Sequence, residues 1–273
     1  LDEVAKQIRV GMSTQEIDDI VNRVTTEMGG IPAPLNYEGF PKSVCTSVND
    51  QVCHGIPSED VILQDGDIVN VDCSTIYNGY YSDSSRMFLL GDVSPEKRKL
   101  VEVTKECVEL GLKEVKPWGF MGDIGAVVCE HAAANGYTVV REIGGHGCGL
   151  EFHEEPWIGY HTKRGQEMLL VPGMTFTIEP MVNAGTVRIY TDQENGWEVY
   201  TLDGEPSAES AGDPGEYAEE SWILQGDRRW CGGTCLLNAK ADFVFTYQRT
   251  VLLLGQLFFA ADAKSNSRIR HKK

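Results

Sequence analysis

The chain has 273 residues, 41% of them hydrophobic and 24% charged, with a formal net charge of −17. That length suits one large core or two modest ones, and the acidic balance excludes a nucleic-acid partner, which needs clustered Lys and Arg. No apolar run reaches the roughly 20 residues of a membrane span, and eight scattered cysteines form no CxxC pair, so a soluble protein of a reducing compartment, the cytoplasm, is expected with no membrane attachment.

Residues 1–30 predict helix, turn, helix. "LDEVAKQIRV" opens on an amphipathic pattern already in mid-helix, from which we expect a chain that lacks its natural N-terminus; "IDDIVNRVTTEMGG" spaces apolar residues by three and four and ends on a glycine pair. "IPAPLNYEGFP" then reads as a proline-rich loop. Two further helices follow later, "SPEKRKLVEVTKECVELGLKEV", with Ser94 as cap and Pro95 in its first turn, and "MGDIGAVVCEHAAANG". Strand patterns alternate with them.

In "VNVDCSTIYNGYYSDSSRMF", Asn78 and Gly79 stand between β-rich runs, a strong hairpin signal. A two-residue turn sets Tyr77 opposite Tyr80, Ser74 opposite Asp83 and Asp72 opposite Ser85. Asp72 and Asp83 are then diagonal neighbours on one face. On a largely buried strand both carboxyls resist ionisation, so the site calls for a cation or a shared proton; on a wet face they are a polar stripe. "DGDIVNVD" and "VPGMTFTIEP" form a short internal repeat, since Gly66 precedes Asp72 by six residues as Gly173 precedes Glu179. A duplicated fold that brings one carboxylate from each half to a shared centre produces such a match.

"IGGHGCGLEFHEEPW" places His146 and His153 among glycines that permit positive φ or a close backbone approach. With Asp72, Asp83 and Glu179, one imidazole completes a donor set suited to Mn, Fe, Co or Zn. For His54, in "VCHGIP", and for His153, a hydrogen-bonded loop histidine is the competing reading. His131 and His161 read as helix-face and surface residues.

"PKSVCTSVNDQVCHGIP", "NVD" with a second aspartate eleven residues on, "GGHGCGLEFHEEP" and "FTIEPMVN" together resemble the type I methionine aminopeptidases over roughly residues 1–208, in order and with that family's spacing. The resemblance implies a pita-bread α+β fold whose two related halves enclose two divalent metal ions. It implies Asp72, Asp83, His146 and Glu179 as ligands, with Asp83 bridging. It also implies His54 and His153 as substrate-contacting histidines, Glu179 as the group assisting water, and Tyr37, Phe40, Cys45, Phe152 and Trp197 as the lining of a methionine pocket. The implied reaction is metal-assisted hydrolysis of the first peptide bond of new polypeptides by a monomeric enzyme, with the ribosome as a further partner.

The chain departs from that family near its end. The family completes its site with a second bridging glutamate after "PSAQWE"; here the text is "PSAESAGDPG", so Glu209 replaces the glutamine and Ala211 stands at the ligand position. A second ion bound weakly, and impaired activity, are expected. Glu209 or Glu216 substitutes only if the loop bends inward. Residues 1–208 are therefore expected as the catalytic domain and 209–273 as an atypical tail, an acidic linker followed by the apolar run "RTVLLLGQLFFAA", which either fills the vacated sheet edge or leaves it open to aggregation. Two other classes compete: a non-catalytic binding protein on the same fold, and a proline-specific peptidase.

Overall fold

The computed structural model describes residues 1–210, 228–231 and 234–237. It is a mixed helix and sheet architecture in which short antiparallel sheets surround one deep cavity and four helices pack outside them. The N-terminal stretch is helical only over Asp2–Ala5, and Gly11 then turns the chain with a φ of 84° before a second helix, Thr14–Glu27, begins. That helix starts on a reciprocal cap: Ser13 Oγ accepts from the Glu16 amide while the Glu16 carboxylate accepts from the Ser13 amide. Its buried face, Ile17, Ile20 and Val21, has the expected spacing of three and four.

The helices Pro95–Glu114 and Met121–Ala134 form the outer layer. Ser94 caps the first, with Pro95 at its first position, as the sequence predicts. Leu100, Val103, Cys107, Ile124 and Val128 from these helices bury against Phe176, Ile178, Val182 and Ala208 from the sheets. Full burial of side chains of this size is worth about 1.5–3 kcal/mol each.

The predicted hairpin register is the one observed. Asp72 pairs with Ser85, Thr75 with Ser82 and Tyr77 with Tyr80, around a turn at Asn78 and Gly79, both at positive φ. Strand Ile68–Asp72 lies between Cys45–Val48 and Ser85–Leu89 and is covered on both faces. Val69 and Val71 face the N-terminal helices, Ile68 faces the helix pair, and the period of two turns Asn70 and Asp72 to the interior.

The other half supplies two sheets. Gly145–Gly147 lies between Glu154–Ile158 and Thr175–Thr177, and Met181–Asn183 lies between Thr138–Val139 and Ser207–Glu209. The last of these strands crosses the boundary expected at residue 208, because Glu209 pairs with Met181. Beyond it, the backbone of Arg228–Cys231 pairs with Thr234–Leu237, which adds to the edge at Thr175–Thr177. So a tail segment does fill that edge, though another than the apolar run at 249–261, which lies outside the described residues, as do Ala211, Glu216 and the acidic stretch from 211.

Candidate metal centre and substrate cavity

All the residues expected to form the site line one cavity of about 630 Å³: Tyr37, Phe40, Cys45, His54, Asp72, Asp83, His146, Phe152, His153, Glu179 and Trp197. The hairpin brings Asp72 and Asp83, whose carboxyls hydrogen-bond each other, and Ser74 Oγ donates to Asp83 Oδ1 at 3.1 Å. His146 comes from the strand Gly145–Gly147 and Glu179 from just beyond Thr175–Thr177. Thr177 joins these two, accepting from the His146 amide through Oγ1 and donating to Glu179 Oε1. Tyr160, fully buried, accepts from the Glu179 amide at 2.6 Å. Gly66 and Gly173, which begin the repeated segments, both turn at positive φ, and the carboxylates six residues on reach the same cavity.

Of the two causes the sequence suggests for the glycines around His146, close backbone approach is the one observed at Gly145 and Gly147. Gly145 and Gly147 are not at positive φ; a Cβ at Gly145 would stand 2.4 Å from the Thr177 carbonyl oxygen, and one at Gly147 would stand 2.2 Å from that of Glu155. They let neighbouring strands close on each other.

Electrostatics follow from burial. Asp72 is held well above the usual carboxylate range by burial and then by Asp83, Glu209 and Glu179. Burial also raises Glu179, to about 7, although the charge of His146 opposes it. Asp83 is the exception: burial disfavours its charge, yet hydrogen bonds from His146, Ser74 and Asp72 bring it below the ordinary value. His146 Nε2 lies 3.5 Å from Asp83 and 3.4 Å from Glu179. Burial lowers its pKa, but these carboxylates reverse the sign and raise it to about 9. His153 is lowered to about 4 by burial and by His146, and burial lowers His54 too.

These residues suit a divalent ion on three counts. One ligand atom each from Asp83, His146 and Glu179 lies within 4.8 Å of the others. His146 Nδ1 is 2.9 Å from the Gly147 carbonyl, which can only accept, so Nδ1 carries a proton and Nε2, which faces Asp83 and Glu179, is the nitrogen that would meet a cation on losing its own proton. Asp72 Oδ1 is buried with no hydrogen-bond partner among the described residues, which costs free energy unless a cation meets it.

Beside this centre the cavity becomes aromatic. Phe152 contacts Tyr37 edge-on at 4.9 Å and Phe40 contacts Trp197 at 5.2 Å, while His153 Nδ1 shares a hydrogen bond of 2.9 Å with the Tyr37 hydroxyl. Pro34, Ile143, Met181 and Trp157 add apolar walls that sequence reasoning did not single out. It also left Glu209 at the edge of the tail, whereas that side chain lines the cavity and is 3% exposed. The available signal was pairing: "SAE" ends a short strand just before turn-forming residues.

The model of metallopeptidase family M24 matches residues 1–205. The chain is 48% identical to methionine aminopeptidase A of Synechocystis over 209 residues, which covers 77% of this chain and 82% of that one. It is 44% identical to methionine aminopeptidase of Escherichia coli strain K12 over 210 residues, covering 77% and 79%. Among solved structures, methionine aminopeptidase from Rickettsia prowazekii superimposes with a TM-score of 0.75 at 41% identity, covering 76% of this chain and 84% of that one. The architecture is therefore the pita-bread fold, with the acidic centre between its halves. Fold, centre and relatives agree that the chain belongs to metallopeptidase family M24.

Proposed function

We infer that the chain is a metal-dependent aminopeptidase that removes methionine from the N-terminus of newly made polypeptides. The observation that carries this reading is the junction, within one cavity, of a buried carboxylate and imidazole cluster with a pocket of Tyr37, Phe40, Phe152 and Trp197. An aromatic pocket with the Cys45 sulfur in its wall suits an unbranched thioether. The carboxylates favour a free α-amine, which draws the chain end in and leaves a blocked one out. Asp72, Asp83, His146 and Glu179 would hold divalent ions, of the Mn, Fe, Co or Zn kind, which when bound supply Lewis acidity to water and to the scissile carbonyl.

This chain's own groups complete the chemistry. Glu179 presents a carboxylate at the centre that can take a proton from water and return it to the departing amine. His54 and His153, with lowered pKa values, are neutral donors for the oxygen on which charge develops. Where the Tyr37 hydroxyl donates to Nδ1, the His153 proton sits on Nε2. A cytoplasmic monomer that meets its substrates at the ribosome accords with this reading. Among the described residues no helix is long and apolar enough to cross a membrane. The non-catalytic alternative rested on Ala211, and no observation within the described residues favours it.

The test is methionine release from a Met-Ala-Ser peptide, followed by mass spectrometry. Release is expected from the free peptide and not from its N-acetylated form. Preferential cleavage of proline-linked residues would instead mark a proline-specific peptidase.

A further inference from the structure

Glu209 is placed as a functional side chain is placed. It ends the strand Ser207–Glu209, opposite Met181, and is 3% exposed. Its carboxyl hydrogen-bonds that of Glu179, and it lines the cavity beside Asp72 and Asp83. Its carbonyl accepts from Asn70 Nδ2 at 2.8 Å, and the same amide donates to Ser85 Oγ at 3.1 Å. The backbone at 209 is thus clamped to the hairpin that presents the two aspartates.

Charge then decides what the side chain is for. Asp72, Asp83, Glu179 and Glu209 put four carboxyls around one imidazole, and among the described residues no Lys or Arg lines the cavity. A buried set of that kind is stable only with protons or cations among its members. Four carboxylates neutralise two dications; three do not. Asp72 Oδ1 is buried and is an acceptor of the cluster that no group among the described residues satisfies.

We propose that Glu209 is a cation ligand that makes this centre dinuclear, in place of the glutamate that the family resemblance puts two residues later, where this chain has Ala211. The proposal rests on the metal dependence of the aminopeptidase reading but makes a separate claim about number and ligand. Glu209 is buried and lines the cavity from its place in the strand, so no bend of the following loop is required.

The experiment is Co²⁺ and Mn²⁺ binding to the metal-stripped full chain, by calorimetry and equilibrium dialysis, with electron paramagnetic resonance of the Mn-loaded protein. Two ions per chain and an exchange-coupled Mn spectrum are expected. Glu209→Gln should hold the first ion unchanged, lose roughly 10–100-fold in affinity for the second, and show isolated Mn. Glu209→Asp, which keeps the charge, should recover the second ion at weaker affinity. A single ion in the native chain, or two ions held equally well by Glu209→Gln, overturns the assignment, as does failed recovery by Glu209→Asp with native circular dichroism. Methionine release separates the two readings: two ions bound through Glu209 without release refute the peptidase, while release indifferent to Glu209→Gln refutes only this ligand.

Discussion

Tyr37 connects the two uses of the cavity. Its ring walls the pocket against Phe152, and its hydroxyl holds His153, whose own ring lies 4.3 Å from that of His146. Removing the hydroxyl alone leaves the wall and frees the imidazole. Tyr37→Phe is therefore expected to lower kcat about tenfold, toward the low end of what lost support of a site group costs, with KM for a methionyl peptide little changed. A raised KM at constant kcat would show that the hydroxyl serves binding instead. Asp72 and Asp83 were legible because an Asn-Gly turn fixes register and register fixes faces. Tyr37 and His153 stand 116 residues apart, so only the fold reveals their contact. Glu209 was hidden for a different reason: aligned by text it falls beside a missing ligand, and only the fold shows it lining the cavity.

At the scale of elements, the site depends on strands that touch closely. His146 faces the carboxylates because Gly145 and Gly147 allow its strand to nest between Thr175–Thr177 and Glu154–Ile158. Gly145→Ala forces a methyl group against the Thr177 carbonyl and should destabilise the protein by about 1–3 kcal/mol, the usual cost of overpacking. Thermal unfolding measures it, and an unchanged Tm would contradict the packing role. The sequence announced these glycines as special, yet not their purpose, since close approach leaves the same trace whether the neighbour is a strand or an ion. The helix caps at Ser94 and Pro95 were readable because capping is local. The N-terminal segment was over-read as a longer helix because amphipathic spacing persists past Ala5, while Gly11 is needed for a turn.

Across the whole molecule, two halves each contribute a glycine-led strand and a carboxylate to one buried centre, and that concentration of charge has a cost without cations. Asp72 and Glu209 are held well above the usual carboxylate range, Glu179 rises to about 7 and His146 to about 9. Groups with raised values stabilise the fold at low pH and lose that contribution as pH rises through the folded value. His54 and His153, lowered, act in the opposite sense below about 6.5, the ordinary histidine value. Between about pH 6.5 and 8 the raised groups alone operate, so the Tm of the metal-free protein should fall across this interval. Saturating Mn²⁺ should flatten the slope, because ligands bound to a cation are deprotonated throughout. A metal-free Tm that rises over the same interval would show that the cluster is not buried as described.

Cleavage of an N-terminal methionine at this acidic centre is tested by methionine release from Met-Ala-Ser by the purified full chain, with Mn²⁺ or Co²⁺ and with chelator. Release that requires the ion, stops with chelator and returns when the ion is restored is the predicted result. A correctly folded, metal-loaded chain that liberates no methionine would show that the centre is not a methionine aminopeptidase.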